Sequence, residues 1–548
     1  MKHFLVYCSV SAILLFTLTR CSRKEGLTKP NEVVRNAVAS TTTGLQCTAR
    51  PEQTNYMMYR MHNNDDARAG DIAPFYDAAA GNFKLYYLKN VWSSTGPRHP
   101  FYGFMSNDFH NYTDIGEIIP SSLNACDQDN AVGAGSVVQS GGTYYFFYTG
   151  HNSDNLSCNN GVKREAVMLA TSTNPVIGFT KNTNFVNITT PIGIGFDEND
   201  NWRDPFVTRD SVNNQWLMLI TARKNQSGIW KGVLAQYTST DLMNWTYRGV
   251  FYDGDNSNFF NMECSEVFKM GGYYYLMFSD QSVSDPKTKY VHYRKSTSLY
   301  GPWSLPNGSD RFDGNGFFAG RTALNQYNDR YVFGWTNTLT NNSDSGAWVW
   351  GGNIVMHKIY PLPNGDLAVA IPHTLKNWLE LNTDTLVINS TWGRVTALGA
   401  GSYRLLSDTN FNVSNVIYQP ILHDRYKINA TVNYASCNKD FGFMIGACDG
   451  YNNFYSLRFV PSQNRFSFDK TNRSSLTTTT IADNDVPFTM TPNTDMNVQI
   501  VFENSVVVVY LNNTVALSCR IYKAVGTNWG IFVDNSHVDF KNISENYQ

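Results

Sequence analysis

At 548 residues the chain is long enough for two or three domains, each with a sizeable core. A net charge of −2 supplies no field that would draw in nucleic acid or an anionic membrane surface. Aromatic residues at 14% beside charged residues at only 16% suit an all-β secreted protein with aromatic, sugar-compatible surfaces.

The N-terminus reads as a targeting segment. Lys2 and His3 precede a short apolar run, Phe4 to Leu18, which falls short of a comfortable bilayer span. Leu18-Thr19-Arg20-Cys21 then has the layout of a bacterial lipoprotein signal. On that reading residues 1–21 are a signal peptide and Cys21 is lipidated; an ordinary secretory signal cleaved nearby is the alternative. Either way the mature protein is expected outside the cytoplasm, lipid-anchored at the cell envelope or secreted, meeting the membrane only through a lipid anchor. Residues 22–48 are polar and aperiodic, as in a flexible tether. Of the nine cysteines, Cys8 and Cys21 belong to the signal. Cys126 with Cys158 and Cys437 with Cys448 are candidate pairs that spacing alone does not settle. No C-x-x-C, His/Cys cluster, P-loop or dinucleotide fingerprint is present, so no metal or cofactor is expected.

Residues 49–372 carry a repeat of about 55 to 70 residues, marked by an aromatic-rich strand after a Gly/Asn turn. The copies are Lys84 to Leu88, Tyr144 to Tyr148, Gln215 to Thr221, Tyr273 to Ser279 and Arg330 to Trp335. Ser106-Asn107-Asp108-Phe109, Ser239-Thr240-Asp241-Leu242 and Ser296-Thr297-Ser298-Leu299 look like one recurring turn, followed by Tyr112, Trp245 and Trp303. Five copies of a four-stranded unit predict a five-bladed β-propeller, with the first strand of each blade lining a central channel. After Pro372 the pattern breaks. Residues 373–394 are expected as a linker. Residues 395–548 alternate in the manner of a β-sandwich, as in Asn497-Val498-Gln499-Ile500-Val501-Phe502 and Val506 to Leu511. The fold class is therefore all-β, a five-bladed β-propeller followed by a C-terminal β-sandwich, and a monomer is expected.

Three of the repeat units open on an acid. Asp71 precedes Ile72-Ala73-Pro74-Phe75, Asp204 sits in Arg203-Asp204-Pro205-Phe206, and Glu263 precedes Cys264-Ser265-Glu266. They share one address in the repeat, which would bring them to one mouth of the channel. The other two units have Ala134-Gly135-Ser136 and Phe317-Phe318-Ala319 there. An Asp at a strand entrance is often only a turn former. Three at matched positions are better explained by chemistry. Cleaving a glycosidic bond takes one carboxylic acid to protonate the leaving oxygen and a second carboxylate to attack the anomeric carbon or activate water. Mutual repulsion would keep the acid protonated, while Arg203 would keep Asp204 ionised.

Arg203-Asp204-Pro205 with Met262-Glu263-Cys264 resembles the Arg-Asp-Pro and Glu-Cys motifs of glycoside hydrolase family 32, the β-fructosidases. Gly70-Asp71-Ile72-Ala73-Pro74-Phe75, Phe333-Gly334-Trp335, Trp350-Gly351-Gly352-Asn353, Pro363-Asn364-Gly365-Asp366-Leu367, Cys519-Arg520-Ile521-Tyr522 and Gly530-Ile531-Phe532 extend the resemblance over about 50 to 545. The resemblance implies a retaining hydrolase that removes terminal β-fructofuranosyl residues from fructans or sucrose-like sugars through a fructosyl-enzyme intermediate. Its catalytic residues would be Asp71 as nucleophile, Glu263 as acid and base, and Asp204 holding sugar hydroxyls. Arg203, Trp92 and Trp335 would bind substrate, an oligo- or polysaccharide, and Cys264 would tune Glu263. The family's usual Asn-Asp-Pro-Asn-Gly around the nucleophile is missing, as is a Gln near Leu88, which bears on the sugar bound more than on the bond cleaved. An arabinan- or xylan-active propeller glycosidase, and a non-catalytic glycan-binding lipoprotein, are the competing readings.

Overall fold

The computed structural model describes residues 56–61, 68–93, 96–158, 160–255, 257–281, 289–407, 410, 412–419, 421–435, 439–448, 453–469, 483–522 and 528–548. The expected signal peptide, the Cys21 lipidation site, the 22–48 tether and the Cys437–Cys448 pair lie outside the described residues or depend on one that does. Cys126 and Cys158 form a disulfide.

The chain up to Ala370 is built from antiparallel up-and-down sheets. Ala69–Asp77, Asn82–Lys89, Phe101–Ser106 and Thr113–Ile119 pair in sequence order. Ala131–Ser140, Thr143–His151, Glu165–Ser172 and Thr180–Lys181 do the same. So do Trp202–Asp210, Gln215–Gln226, Ile229–Ser239 and Thr246–Tyr252. Met262–Met270, Tyr273–Asp280 and Val291–Ser296 follow, with a single bridge from Lys295 to Ser304 where a further strand would lie. Phe318–Leu324, Arg330–Leu339, Trp348–Pro361 and Leu367–Ala370 complete the series, and the pair Ala69–Gly352 joins them to the first sheet.

The first strands of these sheets pack side by side in sequence order, and Phe318–Leu324 returns to Ala69–Asp77, closing a ring. This is consistent with a β-propeller. The aromatic return strands follow from it: with a sheet packed on either side, both faces are buried. Leu85, Tyr86 and Tyr87 are all inaccessible, and rings such as Tyr86–Phe146 (5.4 Å) and Phe147–Trp245 (5.5 Å) fill the gap between neighbouring sheets. The recurring turn is a hydrogen-bonded device: Ser106 Oγ accepts from the Phe109 N–H at 2.8 Å, and Ser239 Oγ from Leu242 at 2.9 Å.

The second half is a pair of packed sheets, of eight and seven strands, around a core that includes Trp529, Phe459 and Phe502. Residues 373–394 are not a linker. His373–Leu379 is a helix, Asn382–Asp384 pairs with His537–Tyr547, and Ile388–Trp392 pairs with Val413–Tyr418. These short strands carry little local signal because their partners are far away in sequence. The two halves are joined by buried polar contacts. Asp313 accepts from the Ser518 N–H (2.7 Å) and hydroxyl (2.6 Å), and lies 3.0 Å from His357 Nε2. No described helix is long and apolar enough to cross a membrane.

Candidate active site

Every first strand carries a bulge, one extra residue, at the same point. The register skips between Gly70 and Ala73, Gly133 and Gly135, Arg203 and Phe206, Glu263 and Glu266, and Phe318 and Arg321. Asp71, Asp204, Cys264 and Ala319 sit in these bulges with φ of 38°, 59°, 49° and 53°. Such left-handed backbone is uncommon for residues with a Cβ and marks a site held in place by its surroundings. Asp71 and Asp204 are therefore structural equivalents. Glu263 is not: Cys264 holds that position, and Glu263 lies one residue earlier, level with Arg203. The expectation of three acids at one address is corrected to two and a neighbour: counted back from the strand ends Asp77, Asp210 and Met270, Glu263 stands one residue farther out than Asp71 and Asp204, an offset masked by the shorter Gly271-Gly272 turn of its hairpin.

The shift does not separate the acids. Asp71, Asp204 and Glu263 all line one pocket of about 670 Å³, together with Arg203 and Trp335. Glu165, Thr149, His99, His151, Gln281, Lys289, Trp348 and Trp350 also line it. Each acid has one oxygen held by the protein. The Trp335 indole N–H donates to Asp71 Oδ1 at 3.0 Å. The Cys264 backbone N–H donates to Asp204 Oδ2 at 2.9 Å. Arg203 donates to Glu263 Oε1 from Nη2 (2.9 Å) and Nε (3.2 Å). No protein hydrogen bond among the described residues reaches the second oxygen of any of the three.

Electrostatics follow from burial. Asp71 is pushed up from 3.8 to about 7 by loss of water and by the charges of Asp204 and Glu263, with Trp335 acting the other way. Asp204 is also raised, by burial and by Glu263, which outweigh the pull of Arg203. Arg203 thus pulls Asp204 toward the ionised form as expected, but too weakly to offset burial and Glu263. Its guanidinium hydrogen-bonds Glu263 on one side and Glu165 on the other, the latter at 3.1 and 3.2 Å. Burial alone would raise Glu165, but Arg203, His151 and the Trp202 N–H (2.7 Å) hold it at about 2. Beneath the bulges, buried Arg321 donates to the backbone carbonyls of Gly135 and Asp204.

Trp92 departs from its expected place. It is 57% exposed, does not line the pocket, and meets it only at second hand, edge-on against His99 at 5.4 Å. The pocket's aromatic wall is instead Trp335 with Trp348 and Trp350. Trp350 stacks on His99 at 4.2 Å and lies so close over Gly70 that a Cβ there would come within 2.4 Å of its ring. Glu165 and Gln281, from an outer strand and a loop, carry no motif of their own and have no counterpart among the expected site residues; Trp350 stands in the Trp350-Gly351-Gly352-Asn353 motif but is not among the residues expected to line the pocket. Among the described residues no group of three or more His, Cys, Asp and Glu side chains is placed to hold a metal ion.

Residues 73–358 match the family model described as "Glycosyl hydrolases family 32 N-terminal domain", and residues 402–545 match "Glycosyl hydrolases family 32 C terminal". The chain belongs to glycosyl hydrolase family 32. Among family relatives, it is 28% identical over 279 residues to a sucrose-6-phosphate hydrolase of Escherichia coli, covering 50% of this chain and 55% of that one. It is 25% identical over 275 residues to a levanbiose-producing levanase of Geobacillus stearothermophilus, covering 47% and 58%. The chain spans about half the length of the curated relatives it matches. The family 32 fold is shared with fructan 1-exohydrolase IIa from Cichorium intybus, at a TM-score of 0.68 and 16% identity over 91% of this chain and 98% of that one.

Proposed function

We propose that this family 32 protein is a retaining, exo-acting β-fructosidase that removes terminal β-fructofuranosyl residues from fructans or sucrose-like sugars. One observation carries the reading: three carboxylates line one pocket, each fixed through one oxygen, with the other left without a protein partner among the described residues. The second oxygen of Asp71 attacks the anomeric carbon. The second oxygen of Glu263 delivers a proton to the departing glycosidic oxygen, so the alcohol leaves neutral and a fructosyl ester forms on Asp71. Glu263, now ionised, takes a proton from water, which attacks the same carbon and frees Asp71. Asp204 accepts hydrogen bonds from the sugar hydroxyls through its unheld oxygen. Trp335 and Trp350 face the sugar's apolar side. The similarity to enzymes named for sucrose-6-phosphate, levan and fructan supports the substrate class, and nothing in those names favours an arabinan or xylan.

In this reading the ring of sheets is five propeller blades, and the acids stand at the end of the channel where each first strand begins. The protein is exported: a disulfide such as Cys126–Cys158 is a bond of oxidising compartments. Anchoring through Cys21 rests on the Leu18-Thr19-Arg20-Cys21 sequence alone, and Cys21→Ala would then release the protein from the membrane fraction.

The deciding experiment is a product screen on sucrose, inulin, levan and arabinan, with the anomer of the first product read by NMR. Release of fructose with the β-configuration retained is expected. Inversion would overturn the two-step mechanism, and activity on arabinan alone would overturn the substrate class.

A further inference from the structure

The strands Arg330–Leu339 and Trp348–Pro361 are joined by a loop whose last residue, Ala347, and the start of the strand it enters, Trp348 to Trp350, form one wall of the acid-lined pocket. The loop closes on itself. The Thr340 N–H donates to the Ala347 carbonyl (2.9 Å), the Ala347 N–H to Thr340 Oγ1 (2.9 Å) and the Gly346 N–H to the Ser343 carbonyl (2.8 Å). A displacement of its tip is therefore passed to Ala347.

That tip is held from the other half of the molecule. Asp344 Oδ1 accepts the Tyr522 backbone N–H at 3.0 Å, and Oδ2 accepts the hydroxyl of Tyr455. Tyr522 in turn accepts the Leu339 N–H on its own hydroxyl at 3.2 Å. One residue pair further in, buried Arg520 donates to the carbonyls of Asn337 (2.8 Å) and Thr336 (3.1 Å). These directly follow Trp335, the residue that holds Asp71. Tyr455 belongs to the seven-stranded sheet of the sandwich and Arg520 to the eight-stranded one, so both sheets take part.

We propose that Asp344 is a positioning residue through which the C-terminal sandwich sets the Ala347–Trp350 wall, and with it the pocket's affinity for substrate. A carboxyl group that accepts two hydrogen bonds from a separate core, one on each oxygen, is a firm tether for the loop tip. The carboxylate touches neither the reacting acids nor the pocket, so its effect falls on binding more than on the chemical step. The choice of substrate in this proposal rests on the fructosidase reading; the tether itself does not.

The test uses the full chain with Asp344→Ala and Asp344→Asn, steady-state kinetics on the best fructoside, and hydrogen exchange of the backbone amides. For Asp344→Ala, KM rises about tenfold, by more than kcat falls, as loss of a hydrogen bond to a charged group implies. Exchange quickens over residues 339–350 and not over the acid-bearing strands. Asp344→Asn keeps an acceptor for the Tyr522 N–H and gives a KM between those of the wild type and Asp344→Ala. Unchanged exchange over 339–350, or a fall in kcat that matches the change in KM, would overturn the proposal. A wild type that releases no fructose from any fructoside would instead overturn the functional reading, while the exchange measurement would still decide whether Asp344 holds the loop.

Discussion

Cys264 serves Asp204 through its backbone, donating the N–H to Oδ2 at 2.9 Å from a bulge with φ of 49°. The thiol itself is buried, and burial together with the charges of Asp204 and Asp71 pushes its ionisation well up, so it stays neutral. What the site takes from residue 264 is a peptide N–H in a particular place. Cys264→Ala should thus keep kcat/KM within about tenfold of the wild type, whereas Glu263→Gln, which removes the proposed proton donor, should cost on the order of 10³-fold or more. Parallel kinetics on the two variants check the difference.

The pocket should make stability fall as the solution turns alkaline. Asp71 titrates near 3.8 when unfolded and near 7 when folded. Between those values the folded state keeps a proton that the unfolded chain has given up, so the contribution is fully present below 3.8 and is lost as the pH rises through 7. Asp204 acts in the same direction. Glu165 acts oppositely: its contribution is present above 4.5 and is lost as the pH falls through about 2. Thermal unfolding should therefore give a higher Tm at pH 5 than at pH 8. Asp71→Asn should shrink that gap and raise the Tm at pH 8, while lowering kcat by on the order of 10⁴-fold. An equal gap in the variant would show that the acids are not coupled as described.

Trp335→Phe keeps an aromatic wall but removes the donor to Asp71 Oδ1. Losing a hydrogen bond to a charged group costs about 1.5–3 kcal/mol, so kcat/KM should drop by roughly 10- to 100-fold. Because that N–H favours the ionised form of Asp71, its loss raises the carboxyl further. The acid limb of the pH–rate profile should then move to higher pH, which a loss of packing alone would not produce.

Much of this molecule could be read from the chain alone. The hairpins announce themselves because their aromatic second strands are buried on both faces, and Asp71, Asp204 and Glu263 stand at hairpin entrances where a side chain is easily noticed. The errors arose where tertiary geometry decides. Glu263 stands one residue outside the address of Asp71, an offset blurred by the shorter Gly271-Gly272 turn of its hairpin. Trp92 and Trp350 are equally conspicuous in sequence, yet only the fold brings Trp350 over Gly70 and leaves Trp92 on the outside. The strands between 382 and 392 became visible only through partners such as His537–Tyr547.

Glu165 is the clearest omission and yields a prediction of its own. It is 4% exposed at the side chain and shares Arg203 with Glu263. Breaking a buried ion pair by removing one member typically costs about 3–5 kcal/mol, because the other charge is left without its counterion. Glu165→Ala should accordingly lower the Tm, and should reduce kcat/KM by about tenfold or more through a loosened Arg203. A variant with wild-type Tm and turnover would show that Glu263, Gln281 and Asp200 hold Arg203 without help from Glu165.

The recurring bulge also bears on how such a molecule can change. It works as a set of interchangeable sockets facing a common space, and the socket contributes the aim while its occupant contributes the chemistry. Ala134 and Ala319 fill the matching sockets with the smallest side chain that has a Cβ, and both are packed into the core, Ala134 at the pocket's edge and Ala319 away from it. A larger side chain at either would have to displace its packed neighbours, so the freedom to change chemistry lies with the sockets that already open on the pocket.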